Sequence, residues 1–344
     1  MAAVADSVST GLKVYTLQNS KGMRMTVTNF GGKIMSLFVP DRHGKFEDVV
    51  LGYDSANQYP AGNPYFGAMI GRFGNRIAAG QFTLNGKSYQ LATNNGKNAL
   101  HGGPTGFHNR VWSVQPQGPG KLMMSYVSAD GEEGYPGTLT LNVTYTLTDQ
   151  NELEISYEAT ANQPTILNPT HHSFFNLAGA GNGDILGHQL ELMAEQFLPV
   201  DEGLIPTGTL TSVDKTPFDF RQPHTIGERI GQNDGQLAAG KGYDHCWVLK
   251  KNAGAFELAA RVTEPVSGRV MEVWTTEPGL QFYSGNFLTG KDIGKGGKAY
   301  NFRTAFCLEA EHFPDSPNRP EFPSTVLNPG EKYQQKTVYR FSAR

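Results

Sequence analysis

Short runs in which apolar and polar residues alternate recur along the whole chain, and a period of two predicts strands. The clearest run is 138–147, where Leu139, Leu141, Val143 and Tyr145 alternate with Thr and Asn, so one face is buried and one is wet. Similar runs predict strands at 13–17, 24–29, 34–39, 48–53, 111–115, 122–128, 152–159, 189–194, 255–262, 269–275, 280–283, 304–309 and 337–341. A hairpin is predicted where 81–84 and 87–91 flank Asn85-Gly86, since Asn-Gly favours the tight turn that joins two strands. Helical periodicity is scarce, with a turn or two predicted at 55–59 and 226–230. The Gly-rich patches 178–183 and 231–242 read as long loops within the pattern.

This pattern predicts an all-β protein, a large antiparallel β-sandwich with more strands than an immunoglobulin domain. No repeat of 20–50 residues marks a propeller or solenoid, and no low-complexity linker divides the chain, so 1–344 reads as a single domain. The 41 Gly, 20 Pro and 37 aromatic residues (20 Phe, 14 Tyr, 3 Trp) fit strands joined by many turns. A net charge of −3 offers no basic field for nucleic acid or anionic lipid. No apolar run approaches the roughly 20 residues that span a bilayer.

Met1-Ala2-Ala3-Val4-Ala5-Asp6 lacks the basic and apolar regions of an export signal, although a signal peptide already removed would leave no trace. Cys246 and Cys307 are too few for a disulfide framework and read as reduced thiols. A cytoplasmic protein, monomeric or weakly dimeric, is the expectation.

Five polar clusters are candidates for chemistry. In Phe306-Cys307-Leu308-Glu309-Ala310-Glu311-His312-Phe313-Pro314-Asp315, a strand enters a core and then carries charge. Glu309 and Glu311 share one face and His312 takes the other. Buried carboxylates cost free energy unless they are paired or used, but a strand end with solvated charges is the plainer reading. Arg72, Asn75 and Arg76 lie in a Gly-spaced segment that could grip hydroxyls or could be a surface turn. His101-Gly102-Gly103 places an imidazole where the backbone could approach a ligand, or where it caps a turn. His171 and His172 are adjacent on an extended segment, so only one can face a given cleft. Zinc motifs commonly space their His by three to five residues, so no metal is expected.

Asp244, entering a strand, could accept from sugar hydroxyls or cap a turn, and Gln281 stands beside two aromatics. Phe107 and Trp112 could stack on a sugar face, with core packing their commoner fate. P-loop, strand-GxGxxG-helix, GxSxG and HExxH motifs are all lacking. What remains is His with Glu and hydroxyl-binding side chains in an all-β frame, a set suited to proton transfer on a neutral, hydroxyl-rich substrate.

Taken together these segments resemble the aldose 1-epimerase (galactose mutarotase) family. The resemblance rests on Asn75-Arg76-Ile77-Ala78, Leu100-His101-Gly102-Gly103, the 130–137 segment, His172-Ser173-Phe174-Phe175-Asn176-Leu177, Leu198-Pro199-Val200-Asp201 and Ile205-Pro206-Thr207-Gly208. It continues through Phe282-Tyr283-Ser284-Gly285-Asn286-Phe287 and Leu308-Glu309, Pro314-Asp315 and Asn318. It implies a β-sandwich with an open cleft, no cofactor, and a small-molecule aldose such as galactose or glucose as substrate. The family's base falls on Glu309, its acid on His172 and its second imidazole on His101. Its substrate-binding positions fall on Asn75, Arg76, Asp244 and Gln281. His171 stands where relatives often have Asn, and Glu311 where a Gln is common, which brings an extra charge near Glu309.

Anomer exchange needs Glu309 ionised while His172 is protonated, and ordinary values of about 4.3 and 6.5 leave a narrow window. Attraction between the two would raise the His value and lower the Glu value. A glycosidase would pair two carboxylates about 5–9 Å apart, for which Glu309 and Glu311 are the only close pair. A hexose-phosphate epimerase would need a basic pocket, for which Arg72 and Arg76 are the visible cations. A non-catalytic sugar-binding module would need neither Glu309 nor His172.

Overall fold

The structure, a computed structural model, describes residues 4–6, 11–61 and 65–344, the first three as backbone alone. Of the N-terminal segment read for export, residues 1–3 lie outside the described residues. The architecture is a large antiparallel β-sandwich. A nine-stranded sheet runs in the order Ser113–Pro116, Lys121–Ser128, Leu139–Thr148, Glu152–Ala161, Tyr333–Ala343, Arg269–Thr275, Glu257–Thr263, Gln189–Leu192 and His224–Thr225. A five-stranded sheet holds Thr211–Ser212, Ala194–Leu198, Asp244–Leu249, Gly279–Tyr283 and Cys307–Glu311. The N-terminal strands, from Val4–Asp6 to Phe46–Asp48, form a second five-stranded sheet.

Alternation builds the core. Leu139, Leu141, Val143, Tyr145 and Leu147 point inward from one strand, with Thr and Asn half-exposed between them. The same hydrophobic cluster includes Trp247, Leu280, Phe282, Leu308 and Ala310 from the five-stranded sheet and Leu17, Val27, Leu37 and Val39 from the N-terminal one. The opposite face of the five-stranded sheet is therefore turned away from this core.

Most long strands fall where alternation places them, and four departures are informative. The 48–53 run is strand only as far as Asp48, after which Val50 makes a single bridge to Phe175. The 189–194 run breaks at Met193, whose N–H bonds Ala259 in one sheet while its carbonyl accepts from Lys250, just past the Asp244–Leu249 strand of the other. One apolar run thus feeds two sheets. Residues 226–230 form turns, and the one α-helix among the described residues is Gly235–Gly240, inside a stretch read as loop. Asp234 caps that helix by accepting from the N–H groups of Gln236 and Leu237. No helix among the described residues is long and apolar enough to cross a membrane.

Candidate active site

Cross-strand register arranges the outer face of the five-stranded sheet in rows. Asp244 is opposite Tyr283, and Tyr283 is opposite Cys307. Cys246, Gln281 and Glu309 form the next row, and Val248, Gly279 and Glu311 the one after it. Because side chains alternate, Leu308 and Ala310 enter the core while Cys307, Glu309 and Glu311 point the other way. Three acidic residues thus stand on one face of one sheet.

Two other segments close over this face. Thr170–His172 pairs with Ala68–Ile70, and Thr170 Oγ1 donates to the Ala310 carbonyl at 2.9 Å, laying His172 across the site strand. His172 Nε2 lies 3.5 Å from Glu309 Oε1, and its Nδ1 lies 3.5 Å from Cys307 Sγ. Arg76–Ile77 pairs with Ala99–Leu100 and brings His101 up from the other side. The Asn75 N–H donates to His101 Nδ1 at 3.1 Å, which fixes the proton of the neutral ring on Nε2. The His101 and His172 rings meet edge to face, 5.1 Å between centroids, and Tyr65 packs against both.

The result is a cleft of about 700 Å³ whose lining includes Asn75, Arg76, His101, His172, Asp244 and Glu309. Six of the seven site residues expected from the sequence are therefore brought together there. Gln281 is behind the surface: its Nε2 donates to Asp244 Oδ1 at 2.8 Å, so it steadies the carboxylate that the cleft presents. Arg76 Nη2 stands 3.6 Å from Asp244 Oδ2, and its Nε donates to Asn95 at 3.1 Å. His101, His172 and Glu309 each bring a ring nitrogen or carboxylate oxygen within 4.8 Å of the others, the one such grouping among the described residues. That closeness suits transfer of protons between them and the oxygens of one bound molecule.

Electrostatics run opposite to the simple expectation of a His–Glu attraction. Burial pushes the His172 imidazole down to about 3. Burial, then the nearby Glu311 and Asp244 carboxyls, raise Glu309 well above the ordinary carboxylate range, with Arg76 opposing. Loss of water around both groups outweighs their attraction at 3.5 Å, so burial favours the neutral form of each. His101 is likewise held well below its ordinary value, by burial and then by His172 and Arg76.

The remaining candidates do other work. Arg72 is buried away from the cleft and donates to the Pro136 and Gly137 carbonyls and to Thr165 and Ser128, so neither the sugar-gripping nor the surface-turn reading holds for it. Gly102, at φ +81, approaches the protein backbone and not a ligand: a Cβ there would lie 1.9 Å from the Gly71 carbonyl oxygen. Phe107 and Trp112 pack in the core. His171 faces the core against Tyr145, away from the cleft. Asp315 accepts from the Ala78 N–H and donates its own N–H to the Arg76 carbonyl, so the Pro314-Asp315 segment holds the Arg76 strand. Sequence reasoning missed Tyr65, Lys97, Phe174, Glu202, Lys241 and Phe287, which also line the cleft. All six come from loops or turns whose placement has no local signal.

A family model described as aldose 1-epimerase matches residues 13–340. The galactose mutarotase of Bos taurus is 47% identical over 328 residues, covering 95% of this chain and 93% of that protein. The aldose 1-epimerase of Escherichia coli (strain K12) is 39% identical over 333 residues, covering 96% and 95%. Among solved structures, an aldose epimerase homologue from C. elegans superposes with a TM-score of 0.88 at 33% identity, covering 95% of this chain and 98% of that one. Galactose 1-epimerase from Lactobacillus acidophilus superposes with a TM-score of 0.88 at 27% identity, covering 100% and 99%.

Proposed function

Because the chain belongs to the aldose 1-epimerase family, we propose that its cleft interconverts the α and β anomers of free aldoses such as galactose, with Glu309 as base and His172 as acid. The observation that carries this reading is the facing of His172 Nε2 and Glu309 Oε1 at 3.5 Å in one cleft, on two different elements. Of the two site-strand carboxyls Glu309 and Glu311, only Glu309 lines the cleft.

The chemistry follows from proton count. With the carboxylate ionised and the imidazole protonated, Glu309 takes the proton from the C1 hydroxyl as the C1–O5 bond breaks. The electron pair of that bond leaves with O5, which takes a proton from His172, while C1 and O1 form the aldehyde carbonyl. Rotation about C1–C2 presents the other carbonyl face. Ring closure then reverses both transfers and restores the starting protonation. Each transfer contributes roughly 10²–10⁴ in rate.

Arg76 and Asp244 act on substrate hydroxyls, as donor fork and acceptor, while His101 is the second imidazole at the reacting centre. Asn75 orients both Arg76 and His101 through hydrogen bonds. We read the chain as one domain at work in the cytoplasm, a monomer or weak homodimer, with its two cysteines free and buried.

The test follows anomer exchange by polarimetry on freshly dissolved α-galactose and α-glucose, for wild type and for Glu309→Gln and His172→Asn. Each substitution should lower kcat by about 10²-fold or more, with circular dichroism unchanged. An undiminished kcat in either variant would remove that residue from its role.

A further inference from the structure

Glu311 is fully buried and absent from the cleft lining, yet it is bonded to Asn75, which is part of that lining. Its Oε1 accepts from Asn75 Nδ2 at 2.9 Å. The carbonyl end of the same amide accepts from the Arg76 N–H at 2.9 Å and faces Arg76 Nη1 at 3.5 Å, while the Asn75 N–H holds His101 Nδ1. An amide has one accepting end and one donating end, so whichever end faces Glu311 decides which end faces Arg76. Asn75 sits at φ 60, a left-handed conformation that leaves its short side chain as the link between the site strand and the cleft.

We propose that Glu311 is a positioning residue for the sugar site, acting through the Asn75 amide to set the Arg76 guanidinium and the His101 ring. This rests on reading the cleft as the site of anomer exchange. The surroundings make room for the carboxyl: its row partner is Gly279, which has no side chain, and a Cβ on Gly74 would lie 3.1 Å from Glu311 Oε2.

Facing Glu311 are Glu309 on its own strand, Asp244 and Cys246 from the Asp244–Leu249 strand, Glu277 from the turn before Gly279–Tyr283, and Arg76. Arg76 is the only cation of that group, and it is already beside Asp244. Burial, with Glu277 and Asp244 adding, raises Glu311 to about 8 against the opposing Asn75 bond, so near neutrality the carboxyl is largely protonated. In that form Oε1 still accepts from Asn75 and the group has the shape of Gln.

The experiment compares KM and kcat for wild type, Glu311→Gln and Glu311→Leu, and for Glu311→Leu in an Asn75→Ala background, with melting temperatures alongside. Glu311→Leu keeps the volume and removes the acceptor, so KM should rise about tenfold with kcat changed less. Glu311→Gln keeps the acceptor and should hold KM within about threefold. In the Asn75→Ala background, Glu311→Leu should add little, since both act through one amide. An unchanged KM in Glu311→Leu would overturn the proposal. So would equal damage from Gln and Leu, or full additivity with Asn75→Ala. Glu309→Gln in the same series separates the two readings: retained activity there refutes the site itself, whereas its loss beside a normal Glu311→Leu refutes the positioning role alone.

Discussion

His171 gives the sharpest test of the electrostatics, because it shares the burial of the site but faces the core. The ring packs edge-on to Tyr145 beside the Gly67 backbone, whose contact with it is too poorly aligned to be a full hydrogen bond and only weakly opposes the effect of burial. Burial, with the His172 ring adding to it, pushes His171 down from an ordinary 6.5 to about 3. A group depressed in this way is neutral when folded and protonated when unfolded, so it favours the unfolded chain as pH falls. Its contribution is fully present above pH 6.5 and is lost progressively between 6.5 and about 3. At 1.36 kcal/mol per pH unit, the loss by pH 5.5 is about 1.4 kcal/mol for this one residue. His171→Leu deletes the proton site, so the fall in unfolding free energy between pH 7.5 and 5.5 should be about 1.4 kcal/mol smaller than in wild type. At pH 7.5 the two proteins should agree to about 1 kcal/mol, since lost packing and the removal of buried, poorly partnered nitrogens oppose each other. Urea unfolding followed by tryptophan fluorescence at both pH values measures the difference. Equal falls in the two proteins would mean that the ring is not kept neutral, and would refute burial as the dominant influence.

Three further outcomes follow from named contacts. Arg72→Met should lower stability by about 3–5 kcal/mol, because several buried acceptors lose their donor at once, yet the folded fraction should keep its KM; thermal melting with kinetics checks both. Asp244→Ala strips Arg76 of its carboxylate and Gln281 of its acceptor, so KM should rise about tenfold with a smaller change in kcat, read from initial rates over a range of sugar concentration. His101, His108, His172, His188 and His245 are all pushed down by burial, as His171 is, so wild type should become markedly less stable between pH 6.5 and 5. A melting temperature flat over that interval would contradict the set.

The long strands were legible because one face of each is wet. Leu139–Thr148 announces itself through five inward apolar residues separated by polar ones. Asp244–Leu249 does not, because five of its six residues are buried and no polar face remains to mark the period. Two-residue strands such as Arg76–Ile77 and Ala99–Leu100 exist only because each pairs with the other. The local pattern placed Glu309 and Glu311 on one face, as found, but could not say which opens to the cleft. That depends on Gly74 and Asn75, more than 230 residues away in sequence, which cover Glu311 and leave Glu309 exposed to His172. The balance of burial against attraction was equally out of reach, since spacing along a strand carries no measure of lost water.

The burial that favours the neutral forms of Glu309 and His172 bears directly on how the proposed reaction is eased. With the ring closed, the pair must be carboxylate and imidazolium; with the ring open, the same protons sit as carboxylic acid and neutral imidazole. Burial, Glu311 and Asp244 all favour the second arrangement. They therefore stabilise the protein side of the open-chain state, the higher-energy form of the sugar, relative to the closed one. The same preference requires that a bound closed sugar draw the pair back to ions, through hydroxyl donors to Glu309 and with the Arg76 charge assisting. A carbasugar, which keeps the C1 hydroxyl but has CH2 in place of O5 and so cannot open, isolates that step. Nitrogen-15 chemical shifts of His172 should report a neutral ring near pH 7 in the free protein and an increased imidazolium fraction with the saturating analogue. A ring already charged in the free protein, or one still fully neutral with the analogue bound, would break the link between burial and ring opening.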